Sequence, residues 1–194
     1  MTNRAVFLDK DGTLVHDVPY NADPARIALM PGALEGLARL ADAGYELVVV
    51  SNQSGVARGY FPAAALRAVE RRLQELAAPA GVRFAGFYFC PHLPGGSVPR
   101  YACECVCRKP RPGLILRAAA DLGLDLGGSW LIGDILHDIE AGRRAGCRTV
   151  LLDNGHETEW DLGALRTPHI LAADLREAAD RILEAEYART EKRG

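Results

Sequence analysis

The chain has 194 residues, 48% of them hydrophobic, which suits one compact domain across 1–194 with an ordinary core and no need of disulfide staples. With 23 Lys plus Arg against 25 Asp plus Glu, the formal charge is -2, so the composition excludes a broad cationic face for nucleic acid or anionic lipid. No stretch approaches the ~20 apolar residues of a membrane span, and Met1-Thr2-Asn3-Arg4 runs straight into an apolar segment with no signal-type stretch, which predicts a cytoplasmic protein acting on a small molecule.

A first buried strand is predicted over Ala5 to Leu8, ending at Asp9-Lys10-Asp11-Gly12-Thr13. A helix over about 32–43 stops at Gly44, and a second strand over Glu46 to Val50 gives way to Ser51-Asn52-Gln53-Ser54-Gly55. A helix over about 61–78, with Pro62 in its first turn and Gly81 past its end, leads to a third strand over Phe84 to Phe89. After an irregular segment come a helix over 112–122 between Pro112 and Gly123, and a strand over Trp130 to Ile132 that stops at Gly133-Asp134. The helix over 136–145 ends at Gly146, and the strand Thr149 to Leu152 ends at Asp153-Asn154. A weaker strand over His169 to Leu171, an amphipathic helix from Ala172 to about 187 or 188, and a charge-rich frayed tail over Arg189 to Gly194 close the chain.

This alternation predicts an α/β fold: a doubly wound, Rossmann-like parallel sheet with helices on both faces. Ligands of such sheets bind beyond the carboxyl ends of the strands, where the strand order reverses. All but the third of the five clear strands end in a polar residue, so several distant segments can converge on one crevice.

Asp9 and Asp11, and then Asp134 and Asp138, put four carboxylates at two strand ends. Two unit charges ~4 Å apart repel by about 4 kcal/mol at an effective dielectric of 20, so only a cation makes that clustering cheap. Hard oxygen donors without histidine suit Mg²⁺, which takes one or two carboxylates and leaves room for water and a substrate phosphate. Taken singly, Asp9 and Asp134 read equally well as turn or N-cap residues. Ser51 and the cations of Arg108-Lys109-Pro110 shift that balance, because a transferring phosphoryl group needs such donors around its oxygens.

The irregular segment holds Cys90-Pro91-His92 and Cys105-Val106-Cys107, with Pro94, Gly95, Gly96 and Pro99 between them. A structureless loop longer than ~12 to 15 residues calls for a function or a staple. Pairs spaced by one residue in extended backbone point their side chains to one face, so Cys90 with His92 and Cys105 with Cys107 can supply four corners of a structural Zn²⁺ site. Cys103 continues the alternation and can stand in for Cys105. Cys147, alone before a strand, reads as a small core residue.

The segments Asp9-x-Asp11-Gly12-Thr13, Ser51, Lys109 and Gly133-Asp134-x-x-x-Asp138, in that order, resemble the four motifs of the haloacid dehalogenase superfamily of phosphohydrolases. The resemblance implies that Asp9 attacks phosphorus to form an aspartyl phosphate, and that Asp11 protonates the leaving oxygen, then activates water. It also implies that the Asp11 carbonyl, Asp9 and Asp134 hold Mg²⁺, with Asp138 either a ligand or an orienting neighbour, while Ser51 and Lys109 hold the phosphoryl oxygens.

The run Asn52-Gln53-Ser54-Gly55-Val56-Ala57-Arg58-Gly59 and the stretch Cys107-Arg108-Lys109-Pro110 narrow the resemblance to the cap-less branch of heptose 1,7-bisphosphate and histidinol-phosphate phosphatases. Asn52, Gln53, Arg58 and Arg108 would then face the substrate, a small phosphorylated sugar, with Arg100 and Arg111 available for a second phosphate. The chain departs from that branch at Val15, usually Asn, at Ile135, usually Lys, and by adding Cys103. A zinc-dependent binding module on an inactive scaffold is the competing reading. The acidic balance and the lack of a Lys/Arg run disfavour it. A monomer that binds neither nucleic acid nor membrane is expected.

Overall fold

The computed structural model describes residues 3–191 of the chain. Strand β1 (Ala5–Leu8) consists of four wholly buried apolar residues, as a strand covered on both faces must. It is followed by α1 (Ala33–Asp42), β2 (Glu46–Asn52), α2 (Leu66–Ala77), β3 (Phe84–Cys90), α3 (Gly113–Leu122), β4 (Trp130–Gly133), α4 (Leu136–Ala145), β5 (Arg148–Leu152), β6 (Ile170–Ala172) and α5 (Leu175–Glu191). The six strands form one all-parallel sheet in the order β3-β2-β1-β4-β5-β6. The expected α/β class and doubly wound sheet are thus present. The order reverses between β1 and β4.

Alternation along the strands divides the core. Val6 and Leu8 point with Leu47, Val49 and Ile132 toward Leu37 and Leu40 of α1, Val69 and Leu73 of α2, and Leu175 and Ile182 of α5. Ala5 and Phe7 point with Val48, Val50 and Leu131 toward Leu114, Ile115 and Ala118 of α3 and toward Ala141 and Ala145 of α4. Each fully buried Leu or Phe contributes ~1.5 to 3 kcal/mol, so the paired cores fix the strand order and with it the crevice.

The boundaries differ from the sequence expectation where polar residues join the ladder. Ser51 pairs with Phe89, Asn52 with Cys90 and Gly133 with Leu151, so β2, β3 and β4 run past their apolar stretches. Helix α2 is shorter than 61–78, with single 3-10 turns over Ala63–Ala65 and Ala78–Ala80 at its ends. The last helix starts at Leu175 and not at Ala172, because Ala172 pairs with Leu152 and Asp174 then caps the helix, its carboxylate accepting from the Glu177 N–H at 2.8 Å. Arg189 to Glu191 belong to α5, contrary to the expected frayed tail, whose remaining residues 192–194 lie outside the described residues. Met1 and Thr2 also lie outside them. Among the described residues no helix is long and apolar enough to cross a membrane, and every strand and α-helix belongs to the sheet or its covering layers, with no cap domain between them.

Candidate active site

The register brings the acidic segments together. Leu8 lies opposite Ile132, and the Asp9 N–H donates to the Ile132 carbonyl at 3.0 Å, so the chain after β1 and the chain after β4 leave the sheet side by side. Asp9, Asp134 and Asp138 are buried there, each with a carboxylate oxygen within 4.8 Å of the others. Lys109 enters between them. Its Nζ pairs with Asp9, lies 2.6 Å from Asp138 Oδ1 and donates to the Val50 carbonyl at 3.0 Å. The Lys109 backbone is clamped by Asn52, whose Oδ1 accepts from the Lys109 N–H at 3.0 Å while its Nδ2 donates to the Lys109 carbonyl at 3.1 Å. Asn52 therefore sets the position of Lys109.

Asp11 lies at the mouth, half-buried. Gln53 Nε2 donates to Asp11 Oδ2 at 3.1 Å and to Ser51 Oγ at 2.8 Å, which ties the end of β2 to the first acidic segment. Lys10, almost wholly buried, pairs with Asp11. The Thr13 hydroxyl donates to Asp134 Oδ1 at 3.2 Å. Gly12 has a φ of 81°, and a Cβ there would overlap both Asp134 Oδ2 and His156 Nδ1, so only glycine serves at this turn.

Charge is out of balance in this pocket. Burial, Asp9 and Asp138 push the Asp134 carboxyl up to about 8, and burial with Asp9 raises Asp138 to about 6 despite Lys109. Burial opposes the Lys109 charge, but Asp138 and Asp9 outweigh it and hold the ammonium protonated. Burial also raises Asp11, with Lys10 opposing. Three buried carboxylates around one ammonium lack a counter-charge, and their donors are all hard oxygens. That set fits a divalent cation such as Mg²⁺.

A second cluster lies at the end of β3. Cys90 Sγ is 3.5 Å from Cys105 Sγ and 3.1 Å from Cys107 Sγ, Cys105 and Cys107 are 3.4 Å apart, and His92 Nδ1 is 3.3 Å from Cys107 Sγ. The edge of a tetrahedron with bonds of about 2.3 Å is near these spacings, so the four residues can hold a Zn²⁺ ion. Cys103 is exposed and stands outside the cluster. Cys147 is buried and its thiol is pushed up to about 12 by that burial, which leaves it an inert core residue.

Two hollows flank the crevice. One of 300 Å³ lies against Asp11, Tyr20, Asn21, Asn52 and Gln53, and Arg58 stacks over the Tyr20 ring at 5.4 Å on that side. The other, of 330 Å³, is lined by Arg108, Lys109, Arg111, Glu104 and His137. Arg111 is bound to Glu104 at 2.8 Å, and Arg100 stacks on Tyr101 at 4.6 Å. A larger hollow of 730 Å³ between β6 and α5, beside Trp160 and Leu171, lies away from the crevice.

Sequence reasoning missed His156 as a neighbour of the acidic motifs. Its Nδ1 lies 2.7 Å from Asp134 Oδ2, and Asn154 Nδ2 donates to the Gly12 carbonyl at 2.8 Å. The only signal was that β5, like β1 and β4, ends in polar residues. Lys10 was missed too, hidden between two carboxylates of a motif.

A sheet reversing at β1 and β4, with an Asp-x-Asp segment, a buried lysine and a second acidic segment meeting at the reversal, defines a phosphohydrolase of the haloacid dehalogenase type. A family model described as "HAD-hyrolase-like" matches residues 106–178. The chain is 40% identical over 187 residues to the D-glycero-D-manno-heptose-1,7-bisphosphate 7-phosphatase of Thermosynechococcus vestitus, covering 93% of this chain and 95% of that protein. It is 37% identical over 148 residues to D-glycero-beta-D-manno-heptose-1,7-bisphosphate 7-phosphatase of Yersinia pestis, covering 76% and 79%. The crystal structure of D,D-heptose 1.7-bisphosphate phosphatase from B. bronchiseptica, complexed with magnesium and phosphate, superposes with a TM-score of 0.80 at 32% identity, over 94% of this chain and 99% of that one. The chain belongs to this heptose-bisphosphate phosphatase family of haloacid dehalogenase-like hydrolases, and it is a phosphatase.

Proposed function

We propose that the chain is a Mg²⁺-dependent phosphomonoesterase that removes one phosphate from a small sugar bisphosphate, D-glycero-D-manno-heptose 1,7-bisphosphate. One observation carries the chemistry. Among the described residues Asp9 is the carboxylate that both pairs with Lys109 and directly follows β1, and Asp11, two residues on, lines the open hollow. The family supplies the substrate, since its named members act on that sugar.

In this reading Asp9 attacks phosphorus and the ester oxygen leaves. Asp11, whose raised carboxyl suits proton transfer, gives that oxygen its proton and then takes one from the water that hydrolyses the aspartyl phosphate. Lys109 and Ser51 neutralise the phosphoryl oxygens, while Gln53 holds both Ser51 and Asp11 in line. Asp9, Asp134 and the Asp11 carbonyl would hold Mg²⁺, which when bound offsets the phosphate charge. Asp138, 2.6 Å from Lys109, serves as its orienting partner and not as a direct ligand. Cys90, His92, Cys105 and Cys107 would hold a structural Zn²⁺ that fixes Arg108 and Lys109, with Cys103 left free. Arg58, Arg108 and Asn52 border the sugar and its remaining phosphate. We take it to act as a cytoplasmic monomer, and the formal charge of -2, with no broad cationic face, supports a small-molecule substrate over nucleic acid or membrane.

Phosphate release across sugar monophosphates, sugar bisphosphates and histidinol phosphate, with Mg²⁺ present, tests the proposal. The heptose bisphosphate should have the highest kcat/KM. A higher value for histidinol phosphate would transfer the chain to that neighbouring activity, and tight, salt-sensitive oligonucleotide binding without phosphate release would favour a binding module.

A further inference from the structure

The segment after β5 lies outside both buried cores, yet three of its polar side chains reach back to the body of the molecule. Asp153, Gly155 and His156 are exposed, and the described chain has no strand or helix between Leu152 and Ile170. Three contacts stake this strap to the rest of the molecule. Asn154 Nδ2 donates to the Gly12 carbonyl at 2.8 Å, His156 Nδ1 lies within hydrogen-bond reach of Asp134 Oδ2 at 2.7 Å, and the Glu157 carboxylate accepts from the Leu136 N–H, at the start of α4, at 2.6 Å. Burial works against the Glu157 charge, but the Leu136, Glu159 and Thr158 N–H groups outweigh it and keep the carboxylate ionised at that helix end.

All three stakes fall on the two acidic motifs or on the helix that carries one of them. Asp134 is held from both sides: the Thr13 hydroxyl donates to Oδ1 at 3.2 Å and His156 Nδ1 meets Oδ2 at 2.7 Å. With one partner on each oxygen the plane of the carboxylate is set. Without His156, Oδ2 would lose this side-chain partner while Asp9 and Asp138 stay beside it, leaving Thr13 on Oδ1 alone among side chains to orient the group. The turn geometry agrees, because the space a Gly12 Cβ would need is filled by the same two partners, Asp134 Oδ2 and His156 Nδ1.

We propose that His156 is a positioning residue for the divalent cation: it orients Asp134 toward the ion, and Asn154 and Glu157 hold the strap so that it can. The inference rests on the reading of the crevice as a Mg²⁺ site. Hydrogen-bond partners of ligating carboxylates typically govern ~10- to 100-fold in metal affinity or activity, which is the scale expected here.

The test is the Mg²⁺ dissociation constant, measured by calorimetry on the full-length, zinc-loaded protein, for wild type, His156→Ala, His156→Asn and Asp134→Asn. His156→Ala should bind Mg²⁺ about 10-fold more weakly. Its melting temperature without Mg²⁺ should stay near wild type, and its turnover should recover as Mg²⁺ is raised. His156→Asn, which keeps an N–H where Nδ1 stands, should regain most of the affinity. Wild-type affinity in His156→Ala, with weakened binding in Asp134→Asn, overturns the positioning role alone. Equal weakening in the Ala and Asn variants overturns the donor as its cause. Wild-type affinity in Asp134→Asn removes the Mg²⁺ site itself, and the inference with it.

Discussion

The carboxylate crevice and the cysteine-histidine cluster both gather metal-type donors beside Lys109, but they are assembled in opposite ways. The crevice draws Asp9, Lys109, Asp134 and Asp138 from distant parts of the chain, and only the completed sheet brings them together. Its charges oppose folding, with three buried carboxylates around one ammonium. The cluster takes all four donors from the segment Cys90–Cys107, which outside its first residue has no regular structure beyond the short turn Pro99–Tyr101. There the donors themselves tie the loop. The fold makes the first site, and in the proposed reading a Zn²⁺ held by the second makes its part of the fold.

That contrast is open to attack at both ends. The largest effect is expected for Asp9→Asn, which keeps the shape and removes the proposed nucleophile. Its kcat should fall by on the order of a thousandfold or more while the melting temperature is held or raised. Steady-state kinetics with calorimetric melting would check both halves, and retained turnover would sink the assignment.

Cys107→Ser should behave in reverse, losing zinc and stability first. Loss of a structural metal costs ~4 kcal/mol or more, and ~2 to 4 °C per kcal/mol for a chain of this size gives a fall of about 10 °C. Activity should drop with it, because Arg108 and Lys109 follow immediately. Metal analysis and a melting curve equal to wild type would contradict the loop account.

A smaller effect separates the sites by pH. Burial and its acidic neighbours raise Asp134 to about 8, well above an ordinary carboxylate. A raised carboxyl stabilises the fold below its unfolded value and loses that contribution as pH rises through its folded value. Without Mg²⁺, the melting temperature should decline between pH 6 and about 8.5, while added Mg²⁺ should raise it more at the upper end than at the lower. An equal Mg²⁺ shift at both pH values would mean that the crevice carboxylates are not what the ion meets.

The smallest effect should come from Cys103→Ser. The side chain is exposed and outside the cluster, so zinc content, melting temperature and kcat should all stay at wild-type values. Zinc loss in this variant would show that Cys103, and not Cys105, completes the site.

The same contrast explains what could be read from the sequence. Asp9, Asp11, Asp134 and Lys109 were legible because each stands just past an apolar run or shortly before a helix, Asp138 was legible from its spacing of four from Asp134, and the cluster was legible from its alternate spacing. Strand starts at Ala5, Glu46, Phe84 and Trp130 were equally plain. The ends at Leu8 and Leu152 were plain too, but those of β2 and β4 were not, because Ser51, Asn52 and Gly133 pair in the sheet despite lacking apolar side chains. His156 was illegible for a different reason. It carries no spacing relation to any motif, and only the pairing of β4 with β5 brings the strap back over Asp134. Choosing between Cys103 and Cys105 likewise needed coordinates, since both continue the alternation.

A crystal structure with Mg²⁺ and beryllium fluoride, an acyl-phosphate mimic, would test the central claim most directly. The account predicts one ion about 2.0 to 2.1 Å from oxygens of Asp9, Asp134 and the Asp11 carbonyl, with the fluoride adduct on Asp9 facing Lys109 and Ser51. An ion bound elsewhere, or an adduct on any residue other than Asp9, would contradict it.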